Sequence, residues 1–266
     1  MVSLYLLVAV LLHIPYIQSA AASGVASLLA STLDTRVEIG RIDLGFLNRI
    51  IIDNTTIYDQ GGTPMVRAAR LAVRIDPWQL LDGRVRISSA QVFSAHFRLY
   101  RPDATTAPNY QFALDALASS DTTSAKKPLD VSVSSFIMRH CSVQYDRLDL
   151  PRTPSRLNPA HLRLTNVGTY IQLHALTNDS LNVEIDKLTA SEQSGLKIDD
   201  VTLHLVAGST SCRLSDFRLR MPNSLLSIDN FTARYRKGSN GKIDMGTLTY
   251  SARVQPSTVT LADISA

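Results

Sequence analysis

Leu214-Ser215-Asp216-Phe217-Arg218-Leu219-Arg220-Met221 alternates apolar and polar residues but slips once. Leu214 opens the apolar set, Ser215 and Asp216 interrupt it, and Phe217, Leu219 and Met221 resume it one residue out of phase. Alternation at period two marks a strand with one apolar face. A slip of one residue would send the later set to the other face unless the strand bulges or bends where it slips. Serine and aspartate suit such a place because their side chains bond to nearby main chain.

The same figure recurs along the chain. Ile39 precedes Ile42 and Leu44, and Val131 and Val133 precede Phe136 and Met138. Ile185 precedes Leu188, and Ile198 precedes Val201, Leu203 and Leu205. Ile228 precedes Phe231, Ala233 and Tyr235, and Met245 precedes Leu248, Tyr250 and Ala252. Inside these slips stand Gly40-Arg41, Ser134-Ser135, Asp186-Lys187, Asp199-Asp200, Asp229-Asn230 and Gly246-Thr247. Strands that bend at one level would crease the sheet into an apolar trough. Strands that cross between sheets at corners would build a sandwich instead. The pattern predicts a mostly β chain and leaves those two architectures open.

Helical signals are few. Pro77–Gly83 reads as one turn, entered by proline and closed by glycine. Phe112–Ala118 is a second short helix, and the polar run Ser119–Pro128 after it reads as a flexible linker. The linker separates a β-rich segment 35–118 from another at 129–266. Leu150–Pro159 is a second loop, rich in proline and arginine. With so little helix, the apolar strand faces need cover from another sheet, a partner or a ligand.

The 266 residues carry 27 Lys and Arg against 23 Asp and Glu, and 45 % are hydrophobic, which excludes a chain disordered by composition. The basic residues are dispersed, unlike the clustered charge of a nucleic-acid binder, so no nucleic acid is expected. Solvated strand faces account for them, with weak attraction to anionic lipid headgroups as the alternative. Cys141 and Cys212 lie far apart, outside any zinc or redox spacing. They read as two small buried thiols, or as one disulfide in an oxidising compartment. His96, His140, His161, His174 and His204 stand singly in strand-like stretches without a metal partner at i+2 or i+4. Asp199, Asp200, Asp216 and Asp229 recur at the slips, as turn chemistry does. Gln60-Gly61-Gly62 fits a hairpin turn. The sequons at Asn54, Asn178 and Asn230 carry no weight by themselves. No catalytic set, metal site or cofactor is expected.

Val2–Ile14 is uncharged apart from His13, and Pro15 and a small-residue stretch follow it. A spanning helix needs about 20 apolar residues, so this run suffices only if the helix continues past Pro15. A signal peptide cleaved near Ser19-Ala20-Ala21 is the competing reading. Either one exports the rest of the chain.

Taken in order, these features resemble the N-terminal region of the AsmA-like, TamB-type translocation and assembly module proteins. The likeness rests on the exit Ile14-Pro15-Tyr16-Ile17-Gln18, the small-residue helix ending at Leu29-Ala30-Ser31-Thr32-Leu33, and the strand Arg36–Leu44. It continues through Ile52–Asp59, Ala69–Val73, Gly83–Ile87, Phe97–Arg101, the linker Leu188–Leu196, the strand Val201–Val206 and Met221–Leu226. The resemblance implies an elongated, curled antiparallel sheet (a β-taco with an open apolar groove) behind an N-terminal membrane helix. Residues 1–34 would then be the anchor and its extension, 35–118 the first β-taco segment, and 129–266 a second that stops short of the family's full length. It implies an inner-membrane protein, single-pass, with its bulk in the periplasm. It further implies phospholipid, the inner membrane and an outer-membrane Omp85-type assembly protein as partners. The anchor falls on Leu4, Leu6, Leu7, Val8, Val10, Leu11, Leu12 and Ile14. The expected lipid groove is Val201, Leu203, Leu205, Leu214, Phe217, Leu219, Ile228, Phe231, Leu248 and Tyr250.

Overall fold

A computed structural model describes residues 15–45, 49–75, 85–118, 129–130, 134–153, 156–176, 180–237 and 243–264. The chain is mostly β, as the alternation requires. In order, the elements are α1 (Pro15–Leu33), β1 (Val37–Gly45), β2 (Arg49–Tyr58), β3 (Pro64–Ile75), β4 (Val85–Arg101), α2 (Gln111–Ala118) and β5 (Leu129–Asp130). There follow β6 (Ser135–Arg147), β7 (His161–Leu176), β8 (Ser180–Glu192), β9 (Lys197–Ile198), β10 (Asp200–Gly208), β11 (Ser211–Arg220), β12 (Leu225–Lys237), β13 (Ile243–Val254) and α3 (Leu261–Ile264). Two compact units divide within β6 and β7. The first is Met1–Val133, Met138–Arg152 and Pro159–Arg163, and the second is Ser134–Ile137, Thr153–Asn158 and Leu164–Ala266.

In the first unit β1 to β4 form an antiparallel meander. Its register builds two apolar rows. Ile42 faces Ile52, Ile52 faces Leu71, and Leu71 faces Val92. Ile39 faces Thr55, Thr55 faces Ala68, and Ala68 faces Ala95. Between the rows Gly40, Asn54, Ala69 and Ser94 lie at one level, and Asn54 and Ser94 are left-handed, with φ of 55° and 50°. A left-handed residue rotates the strand, so residues three apart return to one face. Ile52 and Thr55, which flank Asn54 on β2, are accordingly both buried, and Ile39 packs against the cluster of Ile42 and Ile52. At Gly40 a Cβ would lie 3.0 Å from Asn54 Cβ and 3.3 Å from the Asp53 carbonyl oxygen, so glycine suits the close approach of the two strands.

Helix α1 covers that face. Ala22 is buried with Ile42 and Ile52, and Val25 packs against the same cluster. Small residues on α1 let the helix approach closely, and the Gln18 amide donates to the Ile42 carbonyl at 3.1 Å. The helix stops after Leu33 because Asp34 turns left-handed (φ 50°) and the Thr35 N–H bonds back to the Ala30 carbonyl.

In the second unit the order is β7-β8-β10-β11-β12-β13, with β9 paired to β8. Here the slips are true bulges. From Thr202 to His204 β10 advances two residues while β11 runs from Arg218 to Ser215, and Asp216 in that interval has φ 55°. Asp229-Asn230 and Asp186-Lys187 sit at similar shifts. Asp199 separates β9 from β10. Around Gly246-Thr247 the irregularity is wider: β12 moves from Arg234 to Arg236 while β13 runs from Thr249 to Asp244.

Several expectations change. The break near Gly40-Arg41 is not a one-residue bulge, because Ile39 to Arg41 and Thr55 to Asp53 advance equally and the left-handed turn is carried by Asn54. On β6 the left-handed residue is His140 (φ 54°), not Ser134-Ser135, which stands at the strand's start. The hairpin at Gln60-Gly61-Gly62 and the helix ending at Ala118 are present. Pro77–Gly83, the linker 119–128 and the expected anchor Leu4–Ile14 lie outside the described residues. Among the described residues, no helix is long and apolar enough to cross a membrane.

Candidate apolar binding face

The second unit gathers most of the expected groove residues on one face. In an antiparallel ladder directly paired residues share a face. Val201 pairs with Leu219, and Leu219 with Leu226. Phe217 pairs with Ile228, and Ile228 with Val254. Leu205 pairs with Leu214, Leu214 with Phe231, and Phe231 with Ala252. Tyr250 pairs with Ala233, and its ring stacks on Phe231 at 6.5 Å between centroids. Leu203 is placed beside Ile185 instead, opposite the bulge in β11. Leu248 falls inside the wide irregularity, between Thr249 and Asp244.

These side chains are not sunk in a core. Val201 is buried, while Leu203, Leu205, Leu214, Phe217, Leu219, Ile228, Phe231 and Leu248 are half-buried. Tyr250 is 74 % exposed and Val254 58 %. The face therefore presents aliphatic and aromatic carbon to solvent in aligned rows. Sequence reasoning passed over Val183, which faces Leu205, and the pair Ile171–Ile185, which extends the face into β7. Their alternation with Ile185 was the available signal.

The opposite face is polar. Arg213 faces Thr232, Arg218 faces Ser227, and Arg234 faces Ser211 and Thr249. The Arg253 guanidinium lies 3.2 Å from the Asp229 carboxylate. Such exposed pairs contribute little to stability.

The buried polar groups bond to one another and to the main chain. His161 Nδ1 lies 2.8 Å from Asp146 Oδ1, and its Nε2 lies 2.9 Å from the Leu150 carbonyl oxygen. A carbonyl only accepts, so this nitrogen carries a hydrogen. Burial pushes the Asp146 carboxyl up, but hydrogen bonds from Gln144 and His161 and the Arg152 charge outweigh it and hold it below the usual range. Asp59 accepts the Tyr100 hydroxyl at 3.0 Å and the Thr63 N–H at 2.8 Å, which closes the β2–β3 hairpin. Asp263, in α3, accepts the Ser224 hydroxyl at 2.6 Å and the Asn223 N–H at 2.9 Å. The Ser224 bond, then those from Asn223, hold its carboxyl below the ordinary value against the effect of burial. His174 and His204 pair with Glu184 and Asn182. Cys141 is buried, Cys212 is half-buried and shares the apolar face with Ala233, and both are free thiols. Among the described residues no group of three His, Cys, Asp or Glu is placed to hold a metal ion.

Comparison with protein-family models and with curated protein sequences finds no match.

Proposed function

We propose that the chain is a non-enzymatic lipid conduit that holds phospholipid acyl chains along its apolar strand faces. The supporting observation is the row arrangement of Leu205, Leu214 and Phe231, with Phe217 and Ile228 beside them, half-buried on one face. Each methylene taken from water by such a face is worth roughly 0.8 kcal/mol, and the rows hold no charged group to pin a headgroup. A chain can therefore slide from row to row at nearly constant free energy. In this reading the face is an open apolar groove, and Val2–Ile14 forms an inner-membrane anchor of which α1 is the extension. The sheet extends into the periplasm and carries phospholipid from the inner toward the outer membrane of a Gram-negative envelope.

The test is photo-crosslinking in cells from Phe217 and Phe231. Captured phospholipid supports the reading, and its absence at both positions sinks it. Leu219→Arg should block lipid passage by placing a charge on the track.

A second reading is favoured by the exposure of β13. It is an edge strand whose Met245, Tyr250 and Val254 are open to solvent. Such an edge can template a client strand, as an assembly scaffold for outer-membrane proteins acting with an Omp85-type partner would. Leu219→Arg should spare edge pairing. A proline at Ser251 should abolish it while leaving lipid capture at Phe217 intact.

A further inference from the structure

We propose that the end of β12, where β13 departs from it, binds a phosphoryl group or a similar tetrahedral oxyanion. A depression of about 370 Å³ lies there, lined by Thr210, Ser211, Arg234, Tyr235, Arg236 and Thr247. Its shape comes from the wide irregularity between Arg234 and Arg236 on β12 and Thr249 and Asp244 on β13. Thr247 is tied in place: its hydroxyl oxygen accepts the Arg236 N–H at 2.9 Å, and the hydroxyl donates to the Asp244 carbonyl at 2.8 Å. Tyr235 is tied from the other side, its N–H to the Thr210 carbonyl at 2.9 Å and its hydroxyl to the Gly208 carbonyl at 2.8 Å. The walls are therefore held by main-chain bonds before any ligand arrives.

The charge in this depression is unbalanced. Arg234 and Arg236 stand two apart on one strand and so project to one face. Both are exposed, and neither has a carboxylate partner among the described residues. One carboxylate stands close by: Asp244 is paired across the ladder with Arg236 and accepts the Gly246 N–H at 3.0 Å, so two guanidiniums are set against a single carboxylate. Two guanidinium forks with the hydroxyls of Thr210 and Ser211 offer donors from several directions. That arrangement matches the oxygens of a tetrahedral anion better than a planar carboxylate. The site does not depend on the apolar face, so it stands or falls separately from the conduit reading. Free phosphate and a phospholipid headgroup share the required chemistry.

The experiment titrates the full chain with inorganic phosphate and, separately, with monomeric short-chain phosphatidylglycerol, following amide shifts of Ser211, Arg236 and Thr247. Saturable shifts that weaken with added salt are expected. The R234Q/R236Q pair should weaken binding about tenfold or more, R234Q alone severalfold, and R213Q on the same polar face should leave it unchanged. Saturation by phosphate identifies the free oxyanion as sufficient. Saturation by the lipid alone assigns the site to a headgroup. Saturation by neither, or undiminished binding in both R234Q and the double variant, overturns the proposal.

Discussion

The two units use one device and reach different ends. In the first, a line of left-handed and small residues (Gly40, Asn54, Ala69, Ser94) separates two apolar rows, and α1 lies across them. In the second, bulges at Asp186, Asp216 and Asp229 separate comparable rows. Ile42 and Ile52 are each 4 % exposed, whereas Leu205, Leu214 and Phe231 stay half-open. Both regions carry apolar rows set by alternation along their strands. Whether an apolar row becomes a core or stays partly exposed is decided by what lies on top of it.

That contrast can be broken most strongly under the helix. Ile52→Ala should cost about 3 kcal/mol, because a buried side chain leaves a cavity between strand and helix. Leu214→Ala should cost about 1 kcal/mol, since part of that side chain already meets water. Denaturant unfolding of the full chain checks both, and equal costs would remove the distinction between the units.

The turning residues sharpen the comparison further. Asn54→Ala and Asp216→Ala should each cost about 1 kcal/mol, while Asn54→Gly should be close to neutral, because only the Cβ resists a positive φ. Hydrogen exchange at Thr55 and Phe217 reports the local loosening. A glycine variant as damaging as alanine would show that the side chain matters more than the backbone angle.

The smallest effect concerns α3. The folded Asp263 carboxyl lies below its ordinary value of 3.8, so its contribution is present above that value and is lost as pH falls through it toward the lower folded value. Amide protection at Asn223 and Ser224 should therefore fall in acid. Asp263→Asn should show reduced protection already at neutral pH and little further change.

Much of this was legible in the residues. The slips at Asp186, Ser215-Asp216 and Asp229 announced the bulges, because an apolar set can stay on one face only if the strand absorbs the extra residue. The left-handed turns at Asn54, Ser94 and His140 were harder to read. Thr55 and Ala95 stand where the pattern asks for large apolar residues, so β2 and β4 do not display the slip as clearly. The depression beside Arg234 was invisible, since its lining comes from three strands and a turn whose register no local pattern specifies.

The amino-acid order alone determined that this is a β-rich chain with one apolar face per strand, interrupted at set places, because alternation and turn chemistry act over a few neighbouring residues. Only the tertiary structure decided which rows align across strands, that α1 covers Ile42 and Ile52, and that Leu205, Leu214 and Phe231 stay half-exposed. Those outcomes rest on contacts between residues far apart in the chain, and burial belongs to the assembled face and not to any single strand.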